Sequence, residues 1–374
     1  MIKIGKITKR LGLVLALAAV GAGILVGSGA IARGSGPTVA VRGPMFAPSR
    51  TWKALPRAPV DLRFGLTTVW TGTELIASDV DSAAAYDPVA SEWRKLPAPP
   101  EMDNYCRRSA AWTGKEMLVW GCGQAAFDPA ANTWRRLPPA PTRHGVLVWT
   151  GRELIGWGGG CCGDVSDDGS AYDPAKNEWR KLAPAPIAGQ QSPAAVWTGH
   201  ELVVLNGYDP EGKPVGGAAY NPSTDTWRTI PSLPQRTQAA IAVWDGAEVL
   251  LVGGGSGYGG GHAFNPTTNR WRELGRVDIG GLPLFALWTG LRVIELGPKA
   301  AAYDPGADRW WILPRPPQAL RQPGAAVWTG RRVFVMSATG AGAVMRPPTG
   351  ASIRMVHKAS RGMPPFLPQC CGGG

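Results

Sequence analysis

The chain has 374 residues, 44% of them hydrophobic and 18% charged, with 51 glycines, 35 prolines and 17 tryptophans. That balance excludes a disordered or collagen-like chain. Abundant glycine and proline without a sustained helical stripe point instead to short strands joined by many turns. The net charge of +12 raises the question of a nucleic-acid partner, but no nucleic-acid motif appears and the basic residues read as spread through the chain. The charge is assigned to solubility and to attraction for anionic cell-surface polymers.

In chain order, Lys3, Lys6, Lys9 and Arg10 precede an uncharged stretch from Leu11 to Ala32, which closes on the small-x-small step Ala30-Ile31-Ala32. Residues 1–32 are therefore a signal peptide, or an N-terminal membrane anchor if uncleaved, since about 20 apolar residues span a bilayer. Either places the body in an exported location: secreted, periplasmic or cell-surface. Residues 33–49 form a Gly/Pro-rich linker, and 359–374 a flexible C-terminal tail. The even count of six cysteines suits an oxidising compartment.

Residues 50–358 are repetitive. An apolar run ending in Trp, with Gly two residues on, occurs at Trp70, Trp112, Trp149, Trp197, Trp244, Trp288 and Trp328. An aromatic-Asp/Asn-Pro step follows in six copies, at Tyr86, Phe127, Tyr172, Tyr220, Phe264 and Tyr303. Another Trp stands six residues after each Asp or Asn, at 93, 134, 179, 227, 271 and 310. "AAVW" reads as a strand, Thr-Gly as its turn and "ELVVLNG" as the antiparallel return, glycine supplying the positive φ. "AAY" is a third strand ended by Asx-Pro, and "TWRTIP" a fourth with one wet face. Four-stranded antiparallel units repeated every 37–48 residues are the blades of an all-β, seven-bladed β-propeller.

The seventh copy lacks its fourth strand, with Arg346-Pro347 in place of Asp-Pro, while "TWKALP" at 51–56 has the fourth-strand pattern with nothing before it. The N-terminal outer strand therefore completes the last blade. Fourteen tryptophans occupy the two repeat positions and are read as blade-to-blade packing.

The apolar strand ending in glycines, then Tyr-Asp-Pro, then Trp, resembles the kelch-repeat proteins. The diglycine departs from that pattern, being kept only at Gly158-Gly159 and Gly253-Gly254. The resemblance implies the propeller fold. Kelch propellers are also similar to those of galactose oxidase and of sialic-acid mutarotases, so a carbohydrate-active enzyme is the alternative to a binding module. A copper site of the oxidase type would draw on His144, His262, Tyr105 and Tyr258, and a mutarotase on a pair such as His144 with an Asp.

Propellers host unrelated activities, so function is sought in loops. The Thr-Gly turns are short and near-identical. The opposite face, built from inter-blade links and the loops between second and third strands, varies. It collects the candidate ligand-binding residues Arg63, Tyr105, Arg107, Arg143, His144, Arg236, Tyr258, His262 and Arg321, a basic, aromatic-lined mouth for a carboxylated or hydroxylated ligand. The ligand is expected to be a glycan or a protein at the cell surface, with no nucleic acid, no cofactor and no metal. Membrane contact would come only through the N-terminal segment.

A disulfide between Cys106 and Cys122 is expected on a register argument. A two-residue turn at Thr113-Gly114 pairs Trp112 with Lys115. A three-residue turn pairs Trp112 with Glu116 and sets the two cysteines opposite one another.

Overall fold

Each apolar run ending in Trp forms a four-residue strand, and the strand that follows the turn is buried on both faces, as in Leu75–Ser78, Leu202–Leu205 and Val249–Val252. A computed structural model of the chain describes residues 52–347, apart from 63–64, 102–107, 122, 143–144, 162–163, 191–192, 210–214, 234–239, 254–258 and 322. The signal or anchor segment, the linker and the tail lie outside the described residues.

Seven sheets of four antiparallel strands result, six of them in sequence order. Blade one comprises Thr67–Trp70, Leu75–Ser78, Ala83–Asp87 and Glu92–Lys95. The others follow in chain order, their first strands ending at Trp112, Trp149, Trp197, Trp244, Trp288 and Trp328. First strands of successive blades touch one another all the way round, including the last against the first. The protein is a seven-bladed β-propeller.

Closure joins the first and last strands of the propeller. Lys53–Ala54 pairs with Gly342–Met345 as the outer strand of blade seven, with Lys53 opposite Val344 and Ala54 opposite Ala343. Seven apolar clusters fill the seven junctions between blades.

The outer-strand tryptophans also clasp the ring. Each indole N–H donates to a backbone carbonyl of the preceding blade, from Trp52 to Pro314, Trp93 to Pro56, and so on through Trp310 to Gly275, at 2.7–3.0 Å. A half-buried indole satisfied in this way links blades without leaving a polar group stranded.

The turn between first and second strands differs by one residue from the sequence expectation. Trp112 pairs with Met117, not with Lys115 or Glu116, and Thr113 N–H donates to the Glu116 carbonyl. The central residues are thus Gly114-Lys115. The threonine side chain explains the shift, because its Oγ1 accepts the Glu116 N–H at 2.9 Å and so takes a backbone carbonyl's role. Glycine at the first central position has φ between +81° and +107° in all seven turns, a conformation that penalises a Cβ. The register that aligned Cys106 with Cys122 is therefore not the one adopted, and both cysteines lie outside the described residues.

Two elements escaped the sequence reading. Gly160–Cys161 pairs with Asp164–Val165 as a small hairpin on the second loop of blade three. A single 3-10 turn, Gln318–Leu320, sits in the link before blade seven, anchored by the buried Leu320.

Candidate functional site

Strand order divides the ring into two faces. The turns joining first to second and third to fourth strands lie on one face, and the links between blades on the other. In blades one to five the first face is repetitive down to its side chains. Glu74, Glu116, Glu153, Glu201 and Glu248, each last in its turn, receive a two-pronged ion pair from the arginine after the outer-strand Trp. These are Arg94, Arg135, Arg180, Arg228 and Arg272, with Nη2–Oε2 distances of 2.7–2.9 Å. The carboxylate hydrogen bond raises each guanidinium above its ordinary pKa. Half-exposed pairs of this kind contribute below about 1 kcal/mol each, although forked geometry fixes the corner.

Where the next blade has tyrosine, the arginine reaches across the junction. Arg180 Nη1 donates to Tyr220 Oη at 2.9 Å, and Tyr220 donates to Asp225. Burial first, then that bond to Asp225, pushes Tyr220 up to about 12. Sequence reading missed the Glu–Arg couple. Its signal was present: the turn Glu and the arginine after Trp occur together in blades one to five and disappear together in blades six and seven.

The link face varies from blade to blade. Arg108 is half-buried and donates to the Asp79 carbonyl at 2.7 Å, bridging blades one and two, and burial lowers its pKa. Gln190 is fully buried and straps two segments together: Nε2 donates to the Gly216 carbonyl at 2.8 Å, and Oε1 accepts from Gly207 N–H at 3.0 Å. These two side chains hold blades rather than face a ligand.

Of the nine candidate ligand residues, the structure places two. Arg321 is exposed, directly after the 3-10 turn. His262 is 6% exposed, edge-on to Trp271 at 6.4 Å in the junction of blades four and five. Burial lowers its pKa, and its Nδ1 has no hydrogen-bond partner among the described residues. It is a junction residue and does not reach the mouth. Arg63, Tyr105, Arg107, Arg143, His144, Arg236 and Tyr258 lie outside the described residues.

The axis holds a cavity of about 330 Å³ bordered by first-strand residues, among them Trp70, Ala111, Trp112, Val148, Trp149 and Val196. First-strand tryptophans therefore border the channel as well as packing between blades. Among the described residues its lining is first-strand side chains with no titratable group, so these residues offer apolar contact. A smaller cavity of about 80 Å³ between blades four and five, bordered by Asn206, Gly216, Ser232 and Trp271, is of a size for water rather than a ligand. Among the described residues no three His, Cys, Asp or Glu side chains group as metal ligands.

No protein-family description matches the chain, and no curated protein matches it. Among solved structures, one described as "Structure of YjhT" is 14% identical with a TM-score of 0.48, over 69% of this chain and 99% of that one. A chain of the "Crystal Structure of Mitotic Checkpoint Complex" is 14% identical with a TM-score of 0.57, over 83% of this chain and 99% of that one. At that identity the likeness concerns the fold alone.

Proposed function

We propose that this propeller is an exported binding module whose ligand, a glycan or a protein at the cell surface, engages the face made by the inter-blade links. One observation supports the reading above others: the two faces of the ring are chemically unlike. The turn face repeats the same capped turn in each blade and the same ion pair in blades one to five, so over most of the ring it offers one pattern again and again. The link face changes in length and side chains at each junction while standing on a rigid ring, the arrangement by which loops carry recognition. The arginines that the sequence assigns to the links suit carboxylates, and the apolar axis suits the ring face of a sugar or an aromatic side chain.

A screen of glycans, cell-wall fragments and secreted proteins against the exported form tests this. Replacing Arg143 and His144 by alanine abolishes binding to the ligand so found and leaves the melting temperature unchanged. Replacing Arg152, which stands in a turn on the opposite face, leaves binding intact. Equal loss in both variants, or no ligand in the screen, contradicts a link-face site.

A further inference from the structure

The seven-fold repeat supplies its own control for every position, and one corner of blade seven departs from it completely. In blades one to five, three positions meet at the rim of the turn face: the last turn residue, the Asx of the Asx-Pro step, and the residue after the outer-strand Trp. In blade one these are Glu74, Asp87 and Arg94; in blade four, Glu201, Asn221 and Arg228. Blade six has Arg292, Asp304 and Trp311, with Arg292 Nε 3.5 Å from Asp304 Oδ2 and its guanidinium 5.0 Å from the Trp311 ring. In these blades each corner carries a carboxylate beside its cation.

Blade seven has Arg332, Arg346 and Lys53 at the same three positions. The backbone there follows the common plan. Thr329 N–H donates to the Arg332 carbonyl at 3.0 Å, as Thr71 does to Glu74. Lys53 lies opposite Val344, and Val344 opposite Phe334, matching Arg94, Ala85 and Ile76 in blade one. Val333 lies opposite Met345, so Arg332 and Arg346 come next in that register, as Arg292 and Asp304 do in blade six. None of the three cations has an ion-pair partner among the described residues.

The neighbouring blade does not compensate. Three other junctions answer the arginine with a tyrosine hydroxyl and an Asn or Asp five residues on, as in Tyr172 and Asn177. Here that place holds Tyr86 and Ser91, two hydroxyls and no carboxylate. Nor do the chain's ends offer a side-chain carboxylate, because all 27 acidic residues lie between Asp61 and Asp308. The basic excess is thus not spread through the chain as expected from a first pass along the sequence. It is concentrated in the closing blade and the two terminal segments.

Three like charges gathered where the repeat places a carboxylate repel one another unless an anion joins them. We propose that the corner formed by Lys53, Arg332 and Arg346 binds an external phosphate group, either the free ion or the phosphodiester of a headgroup. The two arginine forks match adjacent phosphate oxygens, the lysine adds a point charge, and Tyr86 and Ser91 hold the repeat positions from which the neighbouring blade supplies hydroxyl or amide partners at other junctions. The phosphorus occupies the place of the Glu carboxyl carbon in the other blades.

Calorimetric titration of the full chain at low ionic strength, with inorganic phosphate and separately with glycerophosphoglycerol, tests the site and separates its two sources. Saturable binding of either supports the proposal, and the tighter one identifies the source. Arg332→Glu restores the repeat's own carboxylate beside Lys53. It is expected to weaken binding by about tenfold or more, the loss of a charge-assisted contact, and to leave the protein melting at or above the parent's temperature. Arg346→Asp, which restores the Asx-Pro step, should act the same way, while Arg152→Ala on the same face should not. No saturable binding of either probe, or equal affinity in the parent and the Arg332→Glu protein, overturns the proposal.

Discussion

Deleting residues 50–58 abolishes the cooperative melting transition or moves it far below the parent's. The segment is short, but it holds two junctions. Trp52 packs between blades six and seven and donates to the Pro314 carbonyl at 2.9 Å. Leu55 N–H donates to the Gly342 carbonyl at 2.9 Å, and Leu55 and Ala58 pack into the cluster between blades seven and one. The Pro56 carbonyl accepts the Trp93 indole. Removing a fully buried tryptophan costs about 3–5 kcal/mol; Trp52 is partly buried, but its loss is joined by that of Leu55 and Ala58, against a whole-domain stability of about 5–15 kcal/mol. The deletion also bares the edge of the strand Gly342–Met345, an invitation to aggregate. Thermal melting followed by circular dichroism checks it, and a deletion protein that melts like the parent would show that the ring does not close through this strand.

Glu295→Val should stabilise the protein, and by an amount that depends on pH. Glu295 is fully buried on the second strand of blade six, opposite Ala286 and Ala301, facing the junction with blade five. Neither carboxyl oxygen has a hydrogen-bond partner among the described residues. Burial pushes its pKa up to about 8. Between the ordinary carboxyl value of about 4.5 and about 8, the unfolded chain gives up this proton while the folded chain keeps it. Stability therefore falls as pH rises through that window, by on the order of 4–5 kcal/mol in total, and levels off above it. The other blades use Ala77, Val119, Gly156, Val204, Leu251 and Val335 at this position, so valine fits the site. Denaturant melts at pH 5 and pH 8 should show a small gain for Glu295→Val at the lower pH and a gain of several kcal/mol at the higher. Equal gains at both would mean the carboxylate is solvated or paired in the folded protein.

The architecture was legible because it is written seven times. Each Trp-x-Gly step, with Thr or Asp at x, and each of the six Asx-Pro steps marks a chain reversal whose physics is local, and Trp52 without preceding strands announced the closing joint. Register was less legible. Thr113 closes the turn with its hydroxyl, so the hairpin pivots on Gly114-Lys115, one residue further on than a backbone-only turn would place it.

The site was harder to read for two reasons. His262 looked like a mouth residue from its place in a loop-rich stretch, yet strand alternation turns it with Phe264 into the blade junction. Charge totals also hid the segregation of acids from the closing blade, since a net charge carries no position. Comparing equivalent positions across repeats recovers what either residue alone conceals, as Glu74 and Arg94 show against Arg332 and Lys53.

The recognition claim itself is tested most directly by hydrogen exchange on the full chain, with and without the strongest ligand found in the binding screen. The account predicts added protection in peptides covering the links at 98–108, 139–146, 184–193 and 231–240, and none in the turns at 71–74, 113–116, 150–153 and 198–201. Protection of the turns with the links unchanged would contradict it.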